Sequence, residues 1–397
     1  MGPQESLSEA RRFGKFLRKV REGRKLSLDA VEEMSASFPE RMTKSHLSRI
    51  ENGHAEPSFR KLFALSQIYG MPLVTLAERF ELDLKRELVP VDVAGKTETE
   101  IETEVTRQIE SGRYTEALMM LIAAVDGLRD RLEGTDASGE ETSWIRRFRQ
   151  GIIDCLVHLG RYESAKLEAE ELLSDEDLTA EQRLGALHDF VICCYRLSRF
   201  TVAMMALEQA DKDLSLSNVP GKRQADFAVL RGNILAVTGR PSDSLSAYGR
   251  ALGIYESLAN PFEGCKTRIN MASAMIDLGA NNRAREQLEA ALLVAEASSY
   301  DRLSALARSH MAVLAFKMGD FGAAESWAIR SNAIARSREF IPLVFRNCYY
   351  LWKIARESGD EAGVKANERT LRTLLSRVEG HLPEAEAFRV ALAGGES

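Results

Sequence analysis

Only five of the 397 residues are cysteine, and Cys155, Cys193, Cys194, Cys265 and Cys348 form no Cys-x-x-Cys pair and have no histidine at ligand spacing. Neither a zinc site nor a disulfide framework follows from that pattern, and a reducing, cytoplasmic setting is expected. Long hydrophobic runs are also missing. The longest, Ala117 to Val125, falls far short of the ~20 apolar residues that cross a bilayer, and the N-terminus is polar, so neither export nor a membrane partner is expected. The sequence offers no nucleophile with a paired base and no carboxylate pair beside a glycine loop, so no enzymatic role and no cofactor are expected. Gly95-Lys96-Thr97 has the tail of a phosphate-binding loop, but the position of that loop's first glycine holds Pro90 and no strand precedes it. Strand-rich stretches are absent throughout, which makes the fold class all-α.

What is present divides the chain in two. Residues 1–90 carry 16 Lys and Arg against 13 Asp and Glu, and the remainder carries 37 against 46, within a total of −6. A basic head on an acidic body fits a part that meets nucleic acid and a part that does not.

The head centres on Met42 to Ser58. Thr43 is a good N-cap, Leu47 and Ile50 lie three apart on an inward face, and Asn52-Gly53 ends the helix. Lys44, Ser45, His46, Ser48 and Arg49 are left pointing away from the core. A short helix with outward donors near its start suits the major groove of double-stranded DNA. With Pro57 and the Leu62/Leu65 pair, the run Ser48-Arg49-Ile50-Glu51-Asn52-Gly53 resembles the phage-repressor (XRE, or Cro/C1) helix-turn-helix, a likeness that spans Ser8 to Asp83. The resemblance implies that Thr43, Lys44, Ser45, His46, Ser48 and Arg49 face DNA, with Lys44, Ser45 and Arg49 on base edges, and that Asn52 holds a phosphate. Two departures stand out: Leu28 where the family often has Gln, and about five extra residues around Ser37 to Arg41. The alternative for Lys44 and Arg49 is an ordinary solvated charge, although the surrounding motif favours contact; Ser45 and His46 carry no such preference. Glu51 reads as structural, because a carboxylate facing phosphates would repel them.

Five short helices are expected in the head. The first, from about Ser8 to Glu22, buries Phe13, Phe16, Leu17 and Val20 and shows Arg11, Arg12, Lys15, Arg18 and Lys19 outward. The others cover about Ser27–Ser35, the recognition helix, Ser58–Tyr69 and Leu73–Phe80, with Pro39, Pro57 and Pro72 at boundaries. An acidic, threonine-rich stretch from Leu84 to Glu104 reads as an exposed connection before a helix near Glu98. The domains expected are 1–88 for the head, 89–99 for the linker and 100–397 for a repeat region.

In that region one element recurs seven times, at Gly112, Gly160, Ser198, Gly239, Gly279, Gly319 and Gly359, with spacings of 48, 38, 41, 40, 40 and 40 residues. Each unit is a helix, a turn, an anchor, a small residue and a second helix, which cannot bury its face without neighbours. Stacked, seven such units form a right-handed solenoid. The region resembles the tetratricopeptide repeat, with a longer period than that family's. A phage-type head before such a solenoid is similar in architecture to the RNPP regulators, and the resemblance implies a signalling peptide or small ligand on the concave face, coupled to DNA binding.

With the turn as register, the inward residues of each unit's first helix include Arg147 and Asp154, Asp189 and Arg196, Asp226 and Asn233, Lys266, Asn270 and Asp277, His310 and Lys317, and Arg346 and Lys353. Asn233 and Asn270 each offer a donor and an acceptor to a peptide backbone. Asn is nevertheless common at both positions in repeats, and Lys266 or Arg346 alone reads as a solvated charge. Cys194 and Cys348 read as core. One recognition helix reads only a few base pairs, so a homodimer is expected. The competing reading is a scaffold whose repeats recruit or sequester a protein partner at DNA.

Overall fold

A computed structural model describes residues 3–88, 91–132, 139–216, 221–378 and 382–394; Pro90 and the side chains of Arg11 and Arg12 lie outside the described residues. All regular structure among them is α-helical, and no helix is long and apolar enough to cross a membrane. The chain forms two compact units, Met1–Asp177 and Leu178–Ser397.

The first unit holds α1 (Pro3–Gly23), α2 (Leu28–Ser35), α3 (Lys44–Glu51), α4 (Phe59–Ile68), α5 (Leu73–Leu88), α6 (Glu98–Glu110), α7 (Tyr114–Leu132), α8 (Gly139–His158) and α9 (Tyr162–Leu173). Helices α1 to α5 enclose Phe13, Leu17, Val31, Met42, Leu47, Ile50, Leu62, Leu65, Ile68, Tyr69 and Leu76. Side-chain caps from Ser27, Thr43 and Ser58 fix the starts of α2, α3 and α4, each accepting from the main-chain N–H three residues on. The long α2–α3 turn is held rather than loose. Met42 is fully buried, its N–H donates to Ser35 Oγ at 2.9 Å, and Phe38 meets Phe63 edge-on.

Two expectations are corrected here. Helix α1 begins at Pro3 rather than near Ser8, and α5 does not stop near Phe80 but continues to Leu88, so part of the expected connection is helical. The reason for the second lies in packing. Leu82 on this continuation is buried, and Glu81 bonds to Arg161 at the start of α9, just beyond Glu78 and Arg79, which bond to Ser164 and Glu168 of α9; tertiary contacts thus extend the helix where sequence pattern gave no apolar period. The connection that remains ends at Thr97, which forms a capping box with Glu100 at the start of α6.

The second unit holds α10 (Ala180–Arg196), α11 (Phe200–Leu216), α12 (Gly221–Val237), α13 (Pro241–Ser257), α14 (Pro261–Asp277), α15 (Asn281–Ala297), α16 (Asp301–Lys317), α17 (Phe321–Ser337), α18 (Ile341–Ser358), α19 (Glu361–Leu375) and α20 (Pro383–Gly394). Within it the first helices of successive pairs, α10, α12, α14, α16 and α18, pack side by side, with the second helices behind them. Small residues permit the close approach. A Cβ on Gly232 would lie 2.4 Å from the Tyr248 ring, and Ala272 and Ala312 are buried at the corresponding register. All five cysteines are buried, Cys194 and Cys348 included.

All seven turn positions have left-handed backbone, from Gly112 at φ 74° to Gly359 at 73°, with Ser198 at 56°. A second set with the same period closes the pairs: Ala259, Ser299 and Glu339 have φ of 49°, 55° and 56°. None is glycine, so each pays for a conformation that L-residues avoid. Ala259→Gly and Ser299→Gly should each raise stability by about 0.5 kcal/mol, the relief of left-handed strain less glycine's greater freedom in the unfolded chain. Thermal melting checks this; a lower melting temperature in both variants would mean that neither position is strained.

Candidate functional site

Helix α3 is built to present one face. Its inner face is fixed by Leu47 and Ile50, both essentially inaccessible to solvent. Glu51, in the last turn, also turns inward. Arg21 grips it through Nε at 2.7 Å and Nη2 at 2.8 Å, Arg18 Nε lies 3.5 Å away, and Arg21 Nη1 donates to Leu26 O. This paired bond raises the Arg21 pKa above its ordinary value against the opposing effect of burial. Glu51 is thus the structural tie between α1 and α3, with its charge removed from the exposed face.

That face carries Lys44, Ser45 and Arg49, all exposed, and the half-buried Ser48. Thr43 accepts from the His46 N–H at 3.2 Å, which leaves the helix N-terminus capped. Lys44 is held by α2: its Nζ lies 2.9 Å from Asp29 Oδ2, and its main-chain N–H donates to Glu32 Oε2 at 2.8 Å. Arg49 Nη2 donates to His54 O at 3.3 Å. Asn52 is exposed and oriented, since Oδ1 accepts from Arg18 Nη2 at 2.8 Å and Nδ2 donates to Ser48 O at 2.7 Å. His46 stands apart from this set. Burial, with Lys61 and Arg49 nearby, pushes its imidazole below the ordinary value, and Nε2 is shielded without a partner among the described residues. The carboxylates of Asp29 and Glu32 beside Lys44 were not singled out by sequence. Their signal is the acidic first turns of α2, which a linear reading assigns to the helix dipole alone.

In the second unit the register read from the turns brings several residues together across adjacent pairs. Asn270 Nδ2 donates to Asn233 Oδ1 at 3.2 Å, and Tyr248 Oη donates to the same oxygen at 2.8 Å. Asn233 Nδ2 and Asn270 Oδ1 are left without partners among the described residues. Lys317 Nζ lies 3.0 Å from Asp277, and Arg346 Nη1 lies 3.2 Å from His310 Nε2. Burial and the Arg346 charge push His310 down to about 3, so the ring is neutral and Nε2 accepts from a guanidinium that can only donate. Arg346 Nε also lies 3.1 Å from Glu384 on α20. Lys353 sits over the Phe316 ring at 4.7 Å.

Other members of the expected groove do not join this row. Lys266 pairs within its own helix with Glu263, Asp189 is buried beside His188, and Asp226 is held by Tyr255 and Lys222. Arg196 is exposed. Arg147 and Asp154 belong to α8 in the first unit, where Arg147 pairs with Glu102 and lies over Trp144, and Asp154 is exposed.

Residues 17–76 match the family model described as Helix-turn-helix. The head is a helix-turn-helix domain of the phage-repressor type, and the helical pairs behind it have counterparts among solved repeat proteins. A Rap protein complexed with competence and sporulation factor is 15% identical, with 73% of this chain and 78% of that one covered and a TM-score of 0.55. The apo form of RapI is 15% identical over 71% of this chain and 77% of that one, with a TM-score of 0.52. PlcR of Bacillus thuringiensis, in complex with the peptide PapR7 and DNA, is 15% identical over 73% and 96%, with a TM-score of 0.40. At this identity the likeness is one of fold. Among curated proteins none matches the sequence.

Proposed function

We propose that this chain is a transcription regulator that binds specific double-stranded DNA as a homodimer and senses a short peptide or small molecule on its helical pairs. The observation that carries the first part is the construction of α3: Lys44, Ser45 and Arg49 are exposed on one face while the helix's only carboxylate, Glu51, is locked inward by Arg21. A helix that turns its donors outward and its own acid inward is what phosphates and guanine edges select, and DNA would draw Lys44 away from Asp29 of α2, which holds it at 2.9 Å. The sensing part is supported by the row of polar pairs on α12, α14, α16 and α18. In it, Asn233 and Asn270 keep one donor and one acceptor in reserve, the complement of a peptide unit. A likeness of fold to a Rap protein that holds competence and sporulation factor agrees with such a use of the surface.

The test begins with selection of a preferred site from random DNA by the full chain. Lys44→Ala with Arg49→Ala should then lower the ratio of specific to non-specific affinity by about 100-fold, at roughly 1–3 kcal/mol for each base contact. Moving the half-sites by one to five base pairs should weaken binding as well, if two heads bind at once about 34 Å apart. A double variant that keeps the same site at the same affinity would end the assignment of α3 as the reading helix.

A further inference from the structure

Three cations around α3 are already held by acids of the head itself. Lys44 Nζ lies 2.9 Å from Asp29 Oδ2, and Arg41 Nη2 lies 2.9 Å from Glu32 Oε1. The second oxygen of Glu32 accepts the Lys44 main-chain N–H at 2.8 Å. That N–H belongs to the first turn of α3, where the helix dipole favours an anion and where a DNA phosphate would otherwise be bound. In the α2–α3 turn, Glu40 accepts from Ser58 Oγ at 2.7 Å, at the start of α4, and lies 3.2 Å from Lys61 Nζ. Lys61 and Glu40 are close enough for their charges to act on the His46 ring, which puts this pair beside α3 as well. Exposed ion pairs add little to stability, and the Asp29 and Lys44 side chains are 70% and 53% exposed, so the needs of the fold do not account for the arrangement. Arg49 and Arg60, in contrast, are exposed and have no ion pair among the described residues.

We infer that Asp29, Glu32 and Glu40 stand in for DNA phosphates in the free head and compete with them for Lys44, Arg41 and Lys61. This rests on the reading of α3 as the DNA-binding helix. DNA must break an internal pair for each of these cations that it engages, and the released carboxylates then lie close to its phosphates, so the gain per cation is small. Sequence-independent attraction is thereby kept weak. Ser45 and Arg49, which no acid holds among the described residues, keep their full value for base edges, and base contacts decide whether the head stays bound.

The experiment is fluorescence anisotropy of the full chain on a random-sequence duplex and on its selected site, over a range of salt concentrations. Asp29→Asn with Glu32→Gln and Glu40→Gln keeps an acceptor oxygen at each position and removes the charge. The triple variant should bind both duplexes about tenfold more tightly at low salt, or about 1.4 kcal/mol. Its dependence of log K on log salt should steepen by up to about 0.9 for each freed cation. Asp29→Asn alone, which leaves both helix caps as they are, should give a smaller change of the same sign. Glu33→Gln controls for net charge: Glu33 is an exposed acid of α2 with no ion pair among the described residues, and its loss should move affinity less than about twofold and leave the slope unchanged. Lys44→Ala should cost more random-duplex affinity in the Asp29→Asn background than in the wild type, because only there is the lysine free. Tightening no greater than that of Glu33→Gln, an unchanged slope, or tightening confined to the selected site would each overturn the inference, the last because the acids would then be reading bases. A wild type that binds neither duplex would remove the DNA reading and this competition together, whereas a wild type that binds while the triple variant is unmoved would remove the competition alone.

Discussion

A single methyl group at position 14 should unfold the head. Glycine in a helix interior ordinarily costs about 1 kcal/mol relative to alanine, so Gly14→Ala would be expected to stabilise α1. Here the sign reverses. A Cβ on Gly14 would lie 2.3 Å from Ile50 O, 2.6 Å from Glu51 O and 2.8 Å from Glu51 C. These are main-chain atoms of the last turn of α3, so no rotamer change makes room and α1 must lift away. Lifting α1 also draws Arg18 and Arg21 off Glu51, whose side chain is almost wholly buried, and an uncompensated buried charge is far costlier than the overlap itself. The loss should be about 3 kcal/mol or more, enough to consume much of a small domain's stability. Specific DNA binding should vanish with it, while the helical signal of the second unit survives. Gly127→Ala is the control: that position lies within α7 with nothing within 4 Å of the added atom, so the substitution should be neutral or stabilising. Equal behaviour of the two variants in thermal melting would mean that α1 and α3 are not in the contact described.

Much of the fold could be read from the sequence because its signals are local. Thr43, Leu47, Ile50 and Asn52-Gly53 specify a capped and terminated helix within eleven residues, and the structure has that helix. The seven turns were legible through their spacing even where Ser198 replaces glycine, since period and neighbouring anchors mark the position as firmly as the residue does. The same period could not reveal Ala259, Ser299 and Glu339, because none is a residue type that announces left-handed backbone. The turn register put Asn233, Asn270, Asp277, Lys317, His310 and Arg346 on the inward side of their helices without saying which meet; the structure pairs Asn233 with Asn270, Asp277 with Lys317 and His310 with Arg346. Lys266, Asp189 and Asp226 show its limit. Each finds a nearer partner in its own helix or its own pair, and only side-chain reach decides between the options.

What sequence could not show is the packing of the head on α7 to α9. The bonded residues are far apart: Arg79 with Glu168, Glu81 with Arg161, Glu78 with Ser164 and Lys19 with Glu171 are separated by 80 to 152 positions. In linear order they look like solvated helix faces. Their effect is to seat the head on its neighbours beside the expected exposed connection, so in the proposed regulator head orientation would be controlled by breaking or straining these bonds. Phe59 and Phe63 show a related gap. Both are apolar residues of α4, yet they are 69% and 44% exposed, because helical spacing alone does not say where a helix leaves its neighbours.

Replacing Glu168 with glutamine should release that seating. Its carboxylate accepts from Arg79 on α5 and Arg149 on α8, so one buried acid bridges two guanidiniums from different parts of the unit. Burial alone would raise its pKa, but the charges and hydrogen bonds of Arg79 and Arg149 outweigh burial and hold it at about 2. Glu168→Gln leaves Arg79 without its counter-charge and Arg149 with only the more distant Glu171, 3.5 Å away, and removing one partner from a buried ionic cluster costs about 3–5 kcal/mol. The loss should appear as faster amide exchange in α5 and a lower melting temperature for the first unit. Converting the whole cluster to Arg79→Met, Glu168→Met and Arg149→Met should recover most of it, since no charge is then left buried. The pH dependence has a defined sign. A folded-state pKa depressed below the unfolded value of ~4.3 means that the carboxylate's contribution is fully present above about pH 5 and drains away as pH falls toward 2. The stability difference between wild type and Glu168→Gln in urea should therefore be flat from about pH 7 to 5 and shrink steadily below that. A difference that persists undiminished in acid, or a glutamine variant as stable as wild type at neutral pH, would mean that Glu168 does not bridge the two arginines and that the head is seated by its apolar contacts alone.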